Sequence, residues 1–240
     1  MIQFKKIAKR IVRRTLLRFD VYISRTEASH ELEFIKKIQT NLIEKSNYIL
    51  HIGASRGQEA TFYSEFGKKV IWIEAIPSVF EELKINCAKF QNQLAICALL
   101  GDRNLESTPF FLSSNDSESS SLYTFSKDRL GHGVKMKETM QLPMKRLDSI
   151  PELSNIPTKG HWVIDVQGAE LLVLRGAENV LNRCSSLLIE VSTIELYEGG
   201  AKWIEVRDFL EGVGFVPLWI PKEESHEDVL FLNFKALNQL

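Results

Sequence analysis

Two glycines and a carboxylate carry the clearest chemical signal in this chain. Gly53 and Gly57 bracket a turn after a short apolar run at 48–52, and glycines there let the backbone approach a ligand closely. Glu74 comes about twenty residues later, after a second apolar run, which is the spacing of a carboxylate that binds ribose hydroxyls. The pattern predicts a site for a nucleoside-containing cofactor.

The turn itself, GASRG, indicates which cofactor it suits. A dinucleotide fold usually carries three glycines, because the pyrophosphate must rest on backbone N–H groups at a helix start. S-adenosylmethionine has a ribose and no phosphate, so a turn with two glycines suits it better. The alternative interpretation is a turn without a ligand, in which Glu74 caps the next helix.

Two further acids follow predicted strands. Residues 161–164 form a buried strand pattern that ends at Asp165 and a glycine turn, and Glu190 ends the apolar run 186–189. In open α/β sheets the ligand crevice lies beyond the carboxyl ends of the strands. Asp165, Glu190 and Glu74 are therefore expected to project into one crevice.

These residues need an α/β framework to position them. Alternating strand and helix patterns predict a doubly wound, mostly parallel sheet that ends in an antiparallel hairpin. The predicted strands are 48–52, 69–73, 94–99, 106–112, 161–164, 186–189, 215–220 and 228–234. The predicted helices are 31–44, 58–65, 78–90, 171–177 and 203–211.

The chain resembles the FkbM family of S-adenosylmethionine-dependent methyltransferases. The resemblance rests on the segments HIGASRGQEA, VIWIEAIPSVFEEL, SESSSL, Leu147-Asp148, DVQGAELLVLRGAENVL and LLIEVS, and it covers residues 45–235. It implies a class I methyltransferase fold, which is Rossmann-like, and transfer of a methyl group to a hydroxyl, often on a sugar or natural-product scaffold. One departure is His51, which stands where many class I methyltransferases have an acid.

The resemblance also implies a set of cofactor contacts. The glycine turn would face the methionine part of the cofactor, Glu74 would hold the ribose, and residues 98–102 would border the adenine. The residues expected to contact S-adenosylmethionine are Gly53, Ala54, Ser55, Gly57, Glu74, Ala75, Leu99, Asp102, Asp165 and Val166.

Methyl transfer to an alcohol needs help with the proton, because a protonated alcohol is a poor nucleophile. Asp165 is expected to be that base or to orient the methionine end of the cofactor, and Glu190 is the second candidate. Both acids have a structural alternative as helix caps, and Glu170 is expected to cap or pair within its own helix. Asp165, Glu190 and His132 also suit Mg²⁺, but their spacing requires no metal and none is predicted.

The periodic pattern breaks down between residues 113 and 141. The segment begins with the serine-rich run 113–121, and His132 lies farther along between two glycines. Irregular stretches of this length are usually functional or disordered. The interpretation is an acceptor-binding loop or lid, with a disordered linker as the alternative. His132 is either a proton acceptor or a solvent-exposed loop histidine.

Residues 1–30 differ in charge from the rest of the chain. They hold eight basic and two acidic side chains, whereas the whole chain has a net charge of −1. Apolar residues recur at three- and four-residue steps between Phe4 and Phe19, which predicts an amphipathic helix. Residues 2–19 are expected either to contact an anionic membrane surface or to pack on the methyltransferase domain, residues 31–240, or on a second subunit.

Composition limits the remaining possibilities. A chain of 240 residues with 44% hydrophobic content fits one large α/β domain with a short extension. The net charge argues against nucleic-acid binding, and no apolar stretch reaches the roughly 20 residues that cross a bilayer. Three scattered cysteines indicate neither a disulfide framework nor a zinc site. The expected location is the cytoplasm, with peripheral contact at the inner membrane face left open, as is homo-oligomer formation.

The sequence therefore predicts an S-adenosylmethionine-dependent O-methyltransferase that acts on a hydroxyl of a sugar, a glycan or a secondary metabolite. Methylation at nitrogen or carbon stays open, because the cofactor half looks the same for all three. An NAD-dependent oxidoreductase is disfavoured by the absent third glycine. A further alternative is a non-catalytic cofactor-binding or scaffolding subunit that docks through the basic helix.

Overall fold

A computed structural model describes residues 28–127 and 133–234 of the chain. The predicted basic helix at 2–19 and His132 lie outside these residues, so their roles stay predictions. In the described part, no helix combines the length and the apolar character needed to span a membrane.

The chain alternates strands and helices as the periodicity predicts. The strands are β1 (Tyr48–Ile52), β2 (Lys69–Glu74), β3 (Gln93–Cys97), β4 (Leu99–Leu100), β5 (Leu105–Ser113), β6 (Met136–Lys145), β7 (Gly160–Ile164), β8 (Cys184–Ser192), β9 (Phe215–Pro217) and β10 (His226–Asn233). The helices are α1 (Ala28–Lys45), α2 (Ala60–Ser64), α3 (Pro77–Cys87), α4 (Glu170–Arg175) and α5 (Trp203–Gly212).

Seven strands form the central sheet, in the order β3-β2-β1-β7-β8-β10-β9. The first five are parallel, and β10 runs antiparallel to both of its neighbours. This confirms the predicted doubly wound, mostly parallel sheet with antiparallel strands at its C-terminal end. The order reverses between β1 and β7, and ligands bind at such a switch point in open α/β sheets.

Helices cover both faces of the sheet, which is why β1 and β7 are buried along their whole length. Successive strand residues point to opposite faces. Tyr48 and Leu50 belong to the core cluster that includes the apolar sides of α4 and α5. Ile49 lies on the other face, in a cluster with side chains of α1, α2 and α3. The three-layer packing holds the strand ends in fixed positions.

The irregular segment is shorter than the sequence pattern indicates. β6 begins at Met136, pairs antiparallel with β5, and joins β4 in a separate three-stranded sheet. The period-two signal is present, since Met140, Leu142 and Met144 pack in one cluster while the exposed Gln141 and Pro143 alternate with them. Because these exposed residues interrupt the apolar ones, the strand contains no continuous apolar run.

Glu190 also differs from its predicted place. It does not end its strand, because β8 continues to Ser192. The antiparallel partner β10 runs alongside the whole segment, with Asp228 opposite Glu190 and His226 opposite Ser192. The acid therefore projects from inside a paired strand, next to the start of β10.

Candidate active site

A cavity of about 520 Å³ opens at the carboxyl ends of β1, β2, β7 and β8. Its volume falls within the range of roughly 300–1,000 Å³ typical of small-molecule and cofactor sites. The structure brings most of the residues predicted from the sequence into its wall. These are Gly53, Ala54, Ser55, Glu74, Ala75, Leu99, Asp165, Val166 and Glu190.

Two predicted cofactor residues do not line the cavity. Gly57 lies at the back of the turn, where a Cβ atom would come within 2.7 Å of Leu83 on α3. Its φ of +71° and its close packing on that helix both require a glycine. Asp102 forms an ion pair with Arg103, with Nε to Oδ1 at 2.9 Å, and the guanidinium lowers the pKa of that carboxyl. The turn at Gly101 carries Asp102 away from the crevice.

Backbone hydrogen bonds join the strand ends under the cavity. The N–H groups of Gly53 and Ala54 donate to the carbonyl oxygen of Ile73, at 2.9 and 3.0 Å. The N–H of Asp165 donates to the carbonyl oxygen of Ile52 at 3.0 Å. Gly53 has a φ of +80°, which lets the chain turn sharply at the end of β1. These bonds fix β1, β2 and β7 at one common edge.

Glu74 is held rigidly at the end of β2. Its Oε2 accepts from the N–H of Ser55 at 2.9 Å, and its Oε1 accepts from the N–H of Ile76 at 2.8 Å. Burial raises the pKa of this carboxyl, although hydrogen bonds from the backbone N–H groups of Ile76, Ser55 and Ala75 oppose that shift. Each oxygen keeps a second lone pair, so the side chain can still accept from two hydroxyls of a ribose.

Asp165 and Glu190 meet through the amide of Gln167. Gln167 Nε2 donates to Asp165 Oδ1 at 2.6 Å and to Glu190 Oε2 at 2.7 Å. Tyr197 donates its hydroxyl to Gln167 Oε1 at 2.6 Å, which keeps the NH₂ end of the amide towards the carboxyls. Burial and the neighbouring Glu190 charge raise the pKa of Asp165 to about 8.

His226 extends this network towards solvent. Its Nε2 lies 2.8 Å from Glu190 Oε1, and a third of its side chain is exposed. Sequence patterns do not reveal either His226 or Gln167 as site residues. His226 reaches the site through the pairing register of β10 on β8, and Gln167 reaches it through a left-handed backbone conformation with φ of +56°. The only sequence signal that includes Gln167 is the DVQGAE segment of the family resemblance.

Asp165, Glu170 and Glu190 each place an oxygen within 4.8 Å of the others, so this cluster has the ligand types that a hard cation takes. Donors of the chain already engage these carboxyls. Glu170 Oε1 accepts from the N–H groups of Val166 and Gly168, both at 3.1 Å, so Glu170 caps the start of α4. The geometry is explained without a metal, and we assign none.

The serine-rich segment forms the outer wall of the cavity, where Asn115, Ser119 and Ser120 line it. The Ser121 hydroxyl donates to the carbonyl oxygen of Gln167 at 2.6 Å, so this segment is attached to the acid-bearing turn. On the opposite side Arg56 pairs with Asp116 at 2.9 Å. The segment therefore contacts both the glycine turn and the turn after β7.

The cavity wall is strongly acidic. Its acids are Glu59, Glu74, Asp116, Glu118, Asp165 and Glu190. Of the described lining residues the two histidines are the only basic ones, and burial lowers the pKa of His51 to about 4, which leaves it neutral at pH 7. Such a wall favours a ligand that carries positive charge and repels a pyrophosphate. This fits the sulfonium and ammonium groups of S-adenosylmethionine and disfavours a dinucleotide.

The raised pKa of Asp165 makes a prediction about stability. The unfolded carboxyl ionises near pH 4, so between about pH 4 and pH 8 the folded state holds a proton that the unfolded state has lost. Stability must then fall as the pH rises through this window. Asp165→Asn should be more stable than the wild type at pH 8, on the order of 1 kcal/mol.

Urea unfolding of both proteins between pH 4 and pH 8 measures this difference, which should vanish towards pH 4. Glu170 and Asp228 have pKa values raised to about 7 and about 6, and they are kept in the variant. The free energy of unfolding of the variant should therefore still depend on pH, but less strongly than that of the wild type. If the free energy of unfolding changed with pH equally in both proteins, the pKa shift assigned to Asp165 would be wrong.

The sheet order, the glycine turn and the acidic crevice together define a Rossmann-like protein of the class I methyltransferase type. The chain belongs to the FkbM methyltransferase family, because the sequence profile described as Methyltransferase FkbM domain matches residues 51–217. It is an S-adenosylmethionine-dependent methyltransferase by that membership. Among curated proteins none matches the sequence significantly.

Several solved structures are similar to the chain. One is a SAM-dependent methyltransferase from Aquifex aeolicus, with 13% identity, a TM-score of 0.46, and coverage of 83% of this chain and 88% of that chain. Another is a TehB-like SAM-dependent methyltransferase from Corynebacterium glutamicum, with 11% identity, a TM-score of 0.45, and coverage of 86% and 100%. Fibrillarin from Aeropyrum pernix, solved with natively bound S-adenosyl-L-methionine, has 14% identity, a TM-score of 0.44, and coverage of 78% and 66%.

Proposed function

We propose that this methyltransferase transfers the methyl group of S-adenosylmethionine to a hydroxyl of a sugar, a glycan or a secondary metabolite. One observation carries the proposal: Asp165 and Glu190, bridged by Gln167, face the same cavity as the glycine turn and Glu74. A proton acceptor and a nucleoside site thus share one enclosure.

The cofactor half of the cavity would be built from the turn and the ends of β2 and β3. Gly53, Ala54 and Ser55 would face the methionine part. Glu74 would bind the ribose hydroxyls, and Leu99 would border the adenine. When bound, S-adenosylmethionine supplies an activated methyl group, so the protein has to position the acceptor and receive its proton.

Asp165 would receive the proton of the acceptor hydroxyl. A base works best when its pKa lies near the working pH, and burial has moved the pKa of Asp165 to about 8. As the O–H bond breaks, its proton passes to a carboxylate oxygen of Asp165. Glu190 and then the partly exposed His226 would lead that proton out to water.

The outer wall supports a hydroxylated acceptor. Asn115, Ser119 and Ser120 offer amide and hydroxyl groups that can donate to and accept from an alcohol-rich molecule. Asp116 and Glu118 in the same wall would repel phosphate groups. We therefore propose an acceptor that is polar and free of phosphate at the methylated end.

Calorimetric titration with S-adenosylhomocysteine, with NAD as the control, tests the cofactor assignment. We expect micromolar affinity for S-adenosylhomocysteine and no binding of NAD, after which a panel of sugars can be screened for methylation with labelled S-adenosylmethionine. Binding of NAD alone would overturn the proposal. Binding of S-adenosylhomocysteine without methylation of any hydroxylated acceptor would instead favour a non-catalytic cofactor-binding subunit.

The ribose assignment makes a prediction about Glu74. Glu74→Ala should weaken binding of S-adenosylhomocysteine about 10- to 100-fold, because the hydrogen bonds to the ribose involve a charged group. Binding of 5′-methylthioadenosine, which carries the same ribose, should weaken equally. The exposed Glu81→Ala on α3 is the matched control. Wild-type affinity of the Glu74 variant would contradict the assignment.

A further inference from the structure

Glu59 is a cavity residue to which neither the sequence pattern nor the proposed chemistry gives a role. It is the N-cap residue of α2, two positions after the glycine turn ends, and its side chain is partly buried in the cavity wall. Removal from water raises the pKa of its carboxyl. A carboxylate in such a place is costly unless a positive charge accompanies it.

The described residues supply no such charge. Within 28–127 and 133–234 no basic side chain pairs with Glu59, and the only bond that stabilises its charged form comes from its own backbone N–H. His51 lines the same wall, but burial lowers the pKa of its imidazole to about 4, and its Nδ1 lies 3.3 Å from the Tyr63 hydroxyl. The imidazole is neutral at pH 7 and cannot balance the carboxylate.

The proposed ligand of this cavity would carry the missing charge. S-adenosylmethionine and S-adenosylhomocysteine have an adenosine at one end and an α-ammonium group at the other. If Glu74 holds the ribose, the amino-acid end lies farther along the crevice, beside β1 and β7. A buried ammonium needs a carboxylate partner there.

The other acids of the wall are already engaged. Asp165 retains its proton at pH 7 and accepts from Gln167, and Glu190 pairs with His226. At the mouth, Asp116 pairs with Arg56, and Glu118 lies on the exposed outer segment. Glu59 is the acid that remains at the glycine turn.

We propose that Glu59 binds the α-ammonium group at the amino-acid end of the cofactor. The proposal rests on the proposed function, because it takes the cofactor site and the position of the ribose from it. Glu59, at the start of α2, then provides the negative charge that His51, a histidine, does not provide at the end of β1.

Calorimetry with two ligands distinguishes binding of the ammonium group from a general effect of Glu59 on the cofactor site. S-adenosylhomocysteine carries the ammonium, whereas 5′-methylthioadenosine has the same nucleoside and no amino-acid part. Glu59→Gln keeps the size of the side chain and removes its charge. Glu65→Gln removes the same charge from an exposed residue at the other end of α2 and serves as the control.

We expect Glu59→Gln to lose about 10- to 100-fold in affinity for S-adenosylhomocysteine, while its affinity for 5′-methylthioadenosine equals that of the wild type. Retained binding of the second ligand also shows that the variant is folded. Unchanged affinity for both ligands, or an equal loss for both, would overturn the proposal. Failure of the wild type to bind S-adenosylhomocysteine would overturn the proposed function itself, and that result differs visibly from a failure of the variant alone.

Discussion

Asp165→Asn is expected to lower the rate of methyl transfer by about 10²- to 10⁴-fold while the affinity for S-adenosylhomocysteine stays close to that of the wild type. Asparagine has the same size, and its Oδ1 can still accept from Gln167, so the geometry of the site is kept. What it loses is the ability to take a proton. The measurement is transfer of a labelled methyl group to the best acceptor found in the sugar panel, alongside calorimetry of the same preparation.

Asp208→Asn provides the control, because Asp208 is an exposed residue of α5 that pairs with Arg207. It should leave both methyl transfer and cofactor affinity unchanged. Two results would count against the assignment of Asp165. Wild-type turnover of Asp165→Asn would mean that another group accepts the proton. Loss of cofactor affinity as large as the loss of rate would assign Asp165 to cofactor binding.

The pH dependence of the rate follows from the same group. A carboxyl with a pKa of about 8 is mostly protonated at pH 7 and becomes a base as the pH rises, so the rate should reach half its maximum near pH 8 and level off roughly one pH unit higher. Glu190 on β8 and His226 on β10 act on the pKa of Asp165, and burial together with Asp165 raises the pKa values of Glu170 on α4 and Asp228 on β10. The midpoint therefore reports the group of residues rather than one carboxyl.

The position of the cavity could be predicted from the sequence because several of its lining residues stand at strand ends. Gly53, Glu74 and Asp165 follow apolar runs, and the carboxyl ends of parallel strands necessarily meet at one edge of the sheet. The local sequence pattern of each strand therefore predicts that residues far apart in the chain lie close together. Asp102 does not follow a predicted strand; it is expected near the adenine through the family resemblance, whereas the structure leaves it out of the cavity wall and pairs it with Arg103.

The contacts around Asp165 and Glu190 could not be predicted in the same way. His226 meets Glu190 only because β10 pairs with β8 in one particular register, and no local pattern specifies that register. Gln167 bridges the two acids because its backbone adopts a left-handed conformation. A glutamine in the sequence does not predict that conformation. These contacts depend on tertiary packing, and only a three-dimensional structure reveals them.

Gly53→Ala is expected to remove about 3–5 kcal/mol of the free energy of unfolding, which is a large share of the roughly 5–15 kcal/mol of a typical domain. A Cβ atom at this position would lie 1.6 Å from the carbonyl oxygen of Asp165, so the backbones of β1 and β7 would have to separate. Residue 53 also has a φ of +80°, which an alanine adopts only at a further cost. The variant should lose both its cofactor affinity and much of its stability to urea.

Gly67→Ala isolates the effect of the steric clash. Gly67 also has a positive φ, of +61°, but a Cβ atom there meets nothing within 4 Å. It should therefore show only the backbone cost, about 1–2 kcal/mol, and keep its cofactor affinity. Equal losses in the two variants would mean that the turn moves away from Asp165 at little cost. A much larger loss at Gly53 would establish that the close contact between the ends of β1 and β7 is what forms the floor of the active site.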